Sequence, residues 1–311
     1  MRHLAAIFLL MLALGASPVQ AQEFIAYRDS VPDGYNFWLS VPAGYDTLSA
    51  DIPVLIFLHG RSLCGKDLYR VQRYGPLDAI KRGRDIPALV IAPQNPGSAW
   101  VPRKVDNVLE WVMERFNGDR NRIYVYGMSL GGYGTLDYAG TYPDKVAAAM
   151  GLCGGTTLVS CEGLRHVPLW IIHGTADKAV SISHSKSVVK SINQFGDAPL
   201  LYFDWMQDYD HAALARFFYL PETYEWLFSH TLDDRKLSEP FHLDWTVMSG
   251  AYRNWNSVNK VIVSDPPRKD FHPVRKTRHI PDSLLLPPVI FPTGTCFPLP
   301  AYQGTSSSGR S

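Results

Sequence analysis

Short apolar runs and longer amphipathic segments alternate along residues 35–230 of this 311-residue chain. The runs are mostly rich in branched or aromatic residues, which is typical of strands buried on both faces of a sheet. They occupy residues 53–58, 88–92, 122–127, 146–152, 168–172 and 199–203. In the clearest amphipathic segment, 104–116, apolar residues fall on one helical stripe. The alternation predicts an α/β fold with a mostly parallel, doubly wound sheet and helices on both faces.

The third of these runs ends in the sequence GMSLGG, where a predicted helix begins. Gly127 and Gly131 lie two residues before and two after Ser129, and they permit a very sharp turn because a Cβ there would collide with neighbouring backbone. Such a turn lifts the serine hydroxyl clear of the sheet and leaves backbone N–H groups unpaired at a helix N-terminus. We therefore predict that Ser129 is a nucleophile. The alternative is a glycine-rich turn with an incidental serine.

A nucleophilic serine needs a general base and an acid that orients the base. Asp177 follows the fifth run and His211 follows the sixth. Both therefore lie at carboxyl ends of predicted strands, where the chemistry of parallel sheets gathers. Ser, Asp, His is also the order that successive strand ends of one sheet would present. The sequence predicts a triad of Ser129, Asp177 and His211.

Other histidines and acids lie near these positions. His173 is at the end of a strand, where packing or backbone hydrogen bonding is its expected role, and His184 is at a predicted helix start. Three aspartates flank His211 in the sequence: Asp204, Asp208 and Asp210. Acids so close in sequence seldom reach the ring nitrogen that faces away from the serine. No metal site is predicted, since His173 and Asp177 have no further ligands at recognisable spacing.

The oxyanion that forms on nucleophilic attack needs two donors. The N–H of Leu130, directly after the predicted nucleophile, is expected to be one. The second is expected in the loop LHGRSLCG after the first run, where the backbone of Arg61 follows Gly60. The alternative for Arg61 is a surface charge only.

Four segments together resemble the α/β-hydrolase superfamily: LHG after a strand, GMSLGGYGT, HGTADKAV and DYDHAAL. Within it they are most similar to bacterial carboxylesterase/phospholipase-type and dienelactone-hydrolase-like secreted esterases, over residues 35–230. The resemblance implies ester hydrolysis through an acyl-enzyme by the predicted triad, an oxyanion hole from Arg61 and Leu130, and no cofactor. In many members a glycine-rich run follows HG, and the loop HGRSLCG lacks it.

Aromatic residues near the predicted site would suit an acyl or aromatic group such as a feruloyl ester. Trp100 follows a strand and Tyr133 follows the predicted nucleophile, and Trp205 and Tyr209 are also near in sequence. Core packing is the alternative for each. The expected substrate is a small-molecule or polysaccharide-linked ester. Two other hypotheses stay open, a serine peptidase of the same fold and a non-catalytic binding protein on its scaffold.

The first residues have the pattern of a secretory leader. Arg2 and His3 precede an apolar run over residues 4–14. A cleavage site after Ala21 would have small residues at its minus three and minus one positions, within residues 16–21. This predicts a signal peptide over residues 1–21 and export to the periplasm or medium. The apolar run is shorter than the ~20 residues that span a bilayer, so no stable membrane anchor is expected. The formal net charge of +1 provides no basic field for nucleic acid.

The composition changes after residue 232. Ten of the 23 prolines lie between residues 240 and 300, and the chain ends in GTSSSGRS. We predict a catalytic domain over 22–232 and a proline-rich, partly disordered extension over 233–311, with a short docking helix in LDWTVMSGAYRNWNSV. The chain has four cysteines: Cys64, Cys153, Cys161 and Cys296. Cys153 and Cys161 could close a short disulfide loop, and free buried thiols are the alternative.

Overall fold

One mixed sheet organises the fold, in a computed structural model that describes residues 22–43, 45, 52–252 and 261–267. Its strands are β1 Gln22–Tyr27, β2 Phe37–Val41, β3 Ile52–Leu58, β4 Leu89–Pro93, β5 Gly118–Met128, β6 Ala148–Leu152, β7 Leu169–Gly174, β8 Leu201–Met206 and β9 Val261–Ser264. The α-helices are α1 Pro76–Lys81, α2 Pro102–Arg115, α3 Leu130–Thr141, α4 Ser183–Asn193, α5 Pro221–Phe228 and α6 Trp245–Gly250. Shorter 3₁₀ helices occupy Arg61–Leu63, Leu68–Gln72, Glu162–His166 and Ala212–Tyr219.

The strand order is β8-β7-β6-β5-β3-β4-β2-β1-β9. All neighbouring pairs are parallel except the two that β2 makes with β1 and β4. The chain reverses its direction of travel across the sheet at β3, which lies between β4 and β5. In parallel sheets a cleft opens at the carboxyl ends of the strands beside such a reversal.

Both faces of the sheet are covered by helices, as expected for strands that are apolar on both sides. In β3, Leu55 and Phe57 pack into one layer with α1, α5, α6 and the 3₁₀ helix Ala212–Tyr219. The alternate residues Val54, Ile56 and Leu58 pack into the other layer with α2, α3 and α4. The predicted α/β fold class is confirmed. In the described residues, no helix is both long and apolar enough to cross a membrane.

The six predicted strands correspond to β3 through β8, and the predicted helix 104–116 corresponds to α2. Three strands were not predicted, namely β1, β2 and β9. β9 lies in the segment assigned to the extension, yet it pairs in parallel with β1 from Gln22 to Ile25. Met248 of α6, inside the predicted docking helix, is fully buried in the core. Part of the stretch after residue 232 therefore belongs to the sheet domain, and residues 1–21 and 268–311 lie outside the described residues.

An ionic cluster joins α2 to Lys145, in the turn after α3, and to Arg120 of β5. Lys145 Nζ lies 2.7 Å from Asp106 Oδ1 and 2.8 Å from Glu110 Oε1. Glu110 also accepts two hydrogen bonds from the Arg120 guanidinium, at 3.2 and 2.8 Å. The hydrogen bond from Arg120 and the charge of Lys145 outweigh partial burial and lower the pKa of Glu110 from 4.5 to about 2.

We expect Glu110→Gln to lower the free energy of unfolding at neutral pH by up to about 1 kcal/mol, because half-exposed ion pairs contribute little more. The folded pKa is depressed, so the contribution of Glu110 is present above about pH 4.5 and is lost as the pH falls toward 2. Urea unfolding across this range should show the wild type losing stability more steeply than the variant. Glu114→Gln, one turn along α2 and 62% exposed, is the matched control. A wild-type advantage that does not change with pH would contradict the prediction.

Candidate active site

Ser129 lies in a strained bend between β5 and α3. Its backbone has φ 61° and ψ −122°, a conformation that L-residues rarely adopt and that costs of order 1–3 kcal/mol. The Ser129 N–H donates to the carbonyl of Leu152 at the end of β6, at 2.9 Å. Its own carbonyl accepts from the N–H of Tyr133 at 3.0 Å and so starts the helix. The bend therefore places the side chain at the carboxyl edge of the sheet.

Close backbone contact explains why glycines flank this bend. A Cβ on Gly131 would lie 1.8 Å from the Leu58 carbonyl oxygen, and a Cβ on Gly127 would lie 2.3 Å from the same oxygen. Two non-bonded heavy atoms cannot approach each other this closely. The first turn of α3 therefore packs directly on the end of β3, with no side chain between them.

His211 and Asp177 are joined by a short hydrogen bond. His211 Nδ1 lies 2.6 Å from Asp177 Oδ2. Asp177 Oδ1 accepts the N–H groups of Ala179 and Val180 at 2.8 and 2.9 Å. Burial opposes ionisation of this carboxyl, but these N–H groups and His211 outweigh it, and the pKa of Asp177 lies below its ordinary value. Asp177 is therefore an ionised acceptor, and it leaves Nε2 of His211 as the nitrogen open to other partners.

A second histidine lies behind Asp177. His173 is fully buried, and its Nε2 is 3.0 Å from the Val180 carbonyl and 3.3 Å from Asp177 Oδ2. Its Nδ1 is 2.7 Å from Ser185 Oγ. Burial lowers the pKa of His173, so the ring is neutral at neutral pH. The Ser185 hydroxyl in turn donates to the Gly154 carbonyl at 2.7 Å, so hydrogen bonds hold the ring on both sides.

The thiol of Cys153 lies beside the same pair. Its Sγ and the ligand atoms of Asp177 and His211 are within 4.8 Å of one another, the one group of three possible metal ligands among the described residues. Burial, and then the charge of Asp177, raise the pKa of this thiol, so it stays protonated. A set of three ligands, two of them already hydrogen-bonded together, is a poor fit to a four-coordinate zinc site. Cys153 and Cys161 are both free, so the disulfide considered for them is not formed.

The two residues predicted to supply oxyanion donors, Arg61 and Leu130, line the same cleft as Ser129. Leu130 is the first residue of α3, and Arg61 is the first residue of the 3₁₀ helix after β3. The first N–H groups of a helix have no acceptor within it. Gly60 precedes Arg61, and its N–H donates to the Tyr74 hydroxyl at 2.8 Å.

The loop after β3 is held by buried polar contacts. His59 Nε2 accepts the N–H of Asn95 at 3.0 Å, so Nδ1 carries the proton and donates to the Gly60 carbonyl at 2.8 Å. Trp100, which is 4% exposed, donates its indole N–H to the His59 carbonyl at 3.2 Å. Trp100 thus supports this loop from beneath and is not among the residues that line the cleft described next.

Ser129 and His211 line one cleft of about 620 Å³ at the carboxyl edge. Most of the other lining residues are small or apolar: Gly60, Met128, Leu130, Ala179, Val180, Ala212 and Ala215, with Arg61, Ser62, Tyr74 and Tyr133. The structure therefore brings together Ser129, His211, Arg61, Leu130 and Tyr133, with Asp177 directly behind His211.

The alternative acids have other hydrogen-bond partners, and His184 packs against Tyr133. Asp204 accepts the indole N–H of Trp170 at 2.8 Å, and Asp210 accepts the N–H of Ala213 at 2.8 Å. The Asp208 side chain accepts from Gln207 at 2.9 Å. The His184 ring lies 6.0 Å from the ring of Tyr133.

Sequence reasoning did not identify the contacts of Tyr74 and Cys153 with this site. Tyr74 lies in no recognisable motif, and only the folded loop brings it to Gly60. A signal existed for Cys153, because it directly follows a predicted strand and so belongs to the same edge as Ser129.

Comparison with known proteins identifies the fold as that of the α/β-hydrolases, as the sequence predicted. A solved structure of a thermostable esterase is 25% identical with a TM-score of 0.55, and the match covers 67% of this chain and 63% of that one. A feruloyl esterase module from Clostridium thermocellum, complexed with sinapinate, is 17% identical with a TM-score of 0.53, over 74% of this chain and 94% of that one.

In sequence, a bifunctional acetylxylan esterase/xylanase of Neocallimastix patriciarum is 25% identical over 87 residues. Those residues are 28% of this chain and 13% of that enzyme, so the match spans only a small part of it. No protein-family model matches the chain.

We expect Gly131→Ala to prevent the correct bend at Ser129, because the added methyl group would meet the Leu58 carbonyl oxygen at 1.8 Å. Thermal unfolding should show a strong loss of stability or little folded protein. Gly250→Ala, at the end of α6, is the matched control, since a Cβ there meets nothing within 4 Å. Equal unfolding midpoints for the two variants would show that the close approach of α3 to β3 is not as described.

Proposed function

We propose that this chain is an exported serine hydrolase that cleaves carboxylic esters, with Ser129 as nucleophile, His211 as general base and Asp177 as the residue that orients the base. The observation that carries the proposal is the 2.6 Å hydrogen bond between His211 and Asp177, with His211 and Ser129 on the walls of one cleft. The likeness of the fold to solved esterases supports the reaction class.

In the proposed mechanism, Nε2 of His211 takes the proton of Ser129 Oγ as the oxygen attacks the ester carbonyl carbon. The N–H groups of Arg61 and Leu130 donate to the resulting oxyanion. Collapse of the tetrahedral intermediate breaks the bond to the alcohol, which receives the proton from His211. A water molecule, deprotonated by His211, then hydrolyses the acyl-enzyme. Ionised Asp177 stabilises the imidazolium in both steps.

The walls of the cleft support a substrate with an uncharged acyl group. Its residues carry apolar or hydroxyl side chains apart from Arg61 and His211, and Tyr133 adds an aromatic surface beside the nucleophile. A volume of about 620 Å³ is within the usual range for small-molecule sites. We propose small or polysaccharide-linked esters as substrates, including esters of aromatic acids.

An active-site fluorophosphonate probe tests the nucleophile. The wild type should be labelled, and Ser129→Ala should not be labelled. Ser62→Ala removes the other serine of the same cleft and should still be labelled. Labelling that persists in Ser129→Ala would refute the assignment. Absence of labelling in the wild type would favour a non-catalytic protein.

A substrate panel tests the reaction class. We expect hydrolysis of p-nitrophenyl and feruloyl esters and little hydrolysis of aminoacyl anilides. The reverse order of activity would identify a peptidase.

Export is proposed from the sequence of residues 1–21 alone. Mass spectrometry of the protein purified from its native host should find Gln22 as the first residue. An intact Met1 would contradict cleavage.

Asp177→Asn tests the orienting acid. An amide cannot stabilise the imidazolium as a carboxylate does, so kcat should fall by about 10³- to 10⁴-fold. Asp208→Asn is the matched control, since Asp208 also follows a strand and is exposed, and Asn tolerates its φ of 61°. We expect kcat of this control within about twofold of wild type. Equal losses in both variants would contradict the role of Asp177.

A further inference from the structure

The Tyr74 hydroxyl contacts the loop that carries the Arg61 N–H. Its oxygen accepts the N–H of Gly60, the residue directly before Arg61, at 2.8 Å. Tyr74 also lines the cleft that contains Ser129. The hydroxyl therefore lies at the boundary between the loop after β3 and the space where an ester would bind.

Gly60 lies between the Tyr74 hydroxyl and Ser129, so distances from Gly60 locate the two groups relative to each other. The point at which a Cβ of Gly60 would lie is 2.9 Å from the Tyr74 hydroxyl oxygen and 3.4 Å from Ser129 Cβ. Because Gly60 has no side chain, nothing of its own separates the two residues. The phenol thus approaches the nucleophile across the face of Gly60.

Aromatic packing fixes the ring in this place. Tyr74 stacks on Phe218 with ring centroids 6.0 Å apart, and it meets Phe57 edge to face at 6.1 Å. Both phenylalanines are fully buried. A ring held on two sides presents its hydroxyl in one direction, which is what a preorganised donor requires.

The Tyr74 hydroxyl keeps a proton to donate. Burial raises the pKa of this phenol, although the Gly60 N–H and the Ser62 hydroxyl lower it, so the group is neutral at neutral pH. The Gly60 N–H donates to its oxygen at 2.8 Å, and the Ser62 hydroxyl is a further hydrogen-bond partner.

We propose that the Tyr74 hydroxyl is a third donor to the carbonyl oxygen of the substrate as it becomes an oxyanion, beside the N–H groups of Arg61 and Leu130. This role rests on the proposed ester hydrolysis. The hydrogen bond strengthens as negative charge develops on the oxygen, so it lowers the barrier to acylation more than it strengthens substrate binding. Tyr74 is a catalytic residue in this account.

Tyr74→Phe removes the hydroxyl and keeps the ring. We expect kcat for a p-nitrophenyl ester to fall by about 10²- to 10³-fold with little change in KM, as for the loss of one oxyanion donor. Tyr126→Phe is the matched control. Tyr126 is fully buried, packs on the same Phe57 and Phe218, and bonds to Tyr224 away from the cleft. Its kcat should stay within about twofold of wild type.

A trifluoromethyl ketone separates an effect on the oxyanion from a general effect on substrate binding. A nucleophilic serine adds to the carbonyl carbon of the ketone, and the adduct carries an oxyanion. The matching secondary alcohol forms no such adduct and carries no oxyanion. Tyr74→Phe should weaken ketone binding by the same factor as kcat/KM and leave alcohol binding unchanged. Unchanged kcat/KM, or equal weakening of ketone and alcohol binding, would overturn the proposal.

The same assays distinguish the two possible failures. A wild type with no Ser129-dependent hydrolysis overturns the proposed function, and the role of Tyr74 with it. A wild type that hydrolyses esters while Tyr74→Phe equals it in kcat and in ketone affinity overturns the role of Tyr74 alone.

Discussion

The contact between the first turn of α3 and the end of β3 is the constraint on which the site depends. Gly131 meets the Leu58 carbonyl so closely that no side chain fits between them. The contact brings the start of α3 next to the start of the 3₁₀ helix Arg61–Leu63. Arg61 and Leu130, the first residues of these two helices, line one cleft, and Ser129 occupies its strained conformation beside them. Backbone packing, rather than any particular side chain, creates this arrangement.

A second constraint aligns the acid and the base. The loops after β7 and β8 are joined by backbone hydrogen bonds from Thr175 to Met206 at 2.9 Å and from Ala176 to Tyr209 at 3.1 Å. These bonds continue the parallel ladder past the ends of the strands and hold Asp177 opposite His211. The hydrogen bond between the two side chains therefore forms between rigid supports, and little reorganisation is needed when charge develops on the ring.

The sequence allowed prediction of those elements whose pattern is contained in a short stretch of the chain. Strands buried on both faces form apolar runs, so β3 through β7 could be recognised one at a time. The run of β8 was recognised too, but its predicted burial was wrong, because β8 is an edge strand with Tyr202 and Phe203 exposed. The parallel direction of these strands then placed the residues after each strand at one edge, which is how Asp177 and His211 were selected. β9 could not be found in this way, since its partner β1 lies more than 200 residues away in sequence and no local pattern encodes their pairing.

The same limit applies within the site. Sequence spacing indicated the backbone of Arg61, but the contact between Tyr74 and Gly60 arises from the path of the loop after β3 and from rings on distant elements. His173 was expected to pack or bond to backbone, and its Nε2 does lie 3.0 Å from the Val180 carbonyl. Its approach to Asp177 depends on the turn between them, which spacing alone does not specify.

A crystal structure of the protein reacted with a fluorophosphonate would test the central claim most directly. The account predicts phosphorus bonded to Ser129 Oγ, the phosphoryl oxygen within hydrogen-bond distance of the N–H groups of Arg61 and Leu130, and His211 still paired with Asp177. An adduct on another residue, or a phosphoryl oxygen that contacts neither N–H group, would contradict it.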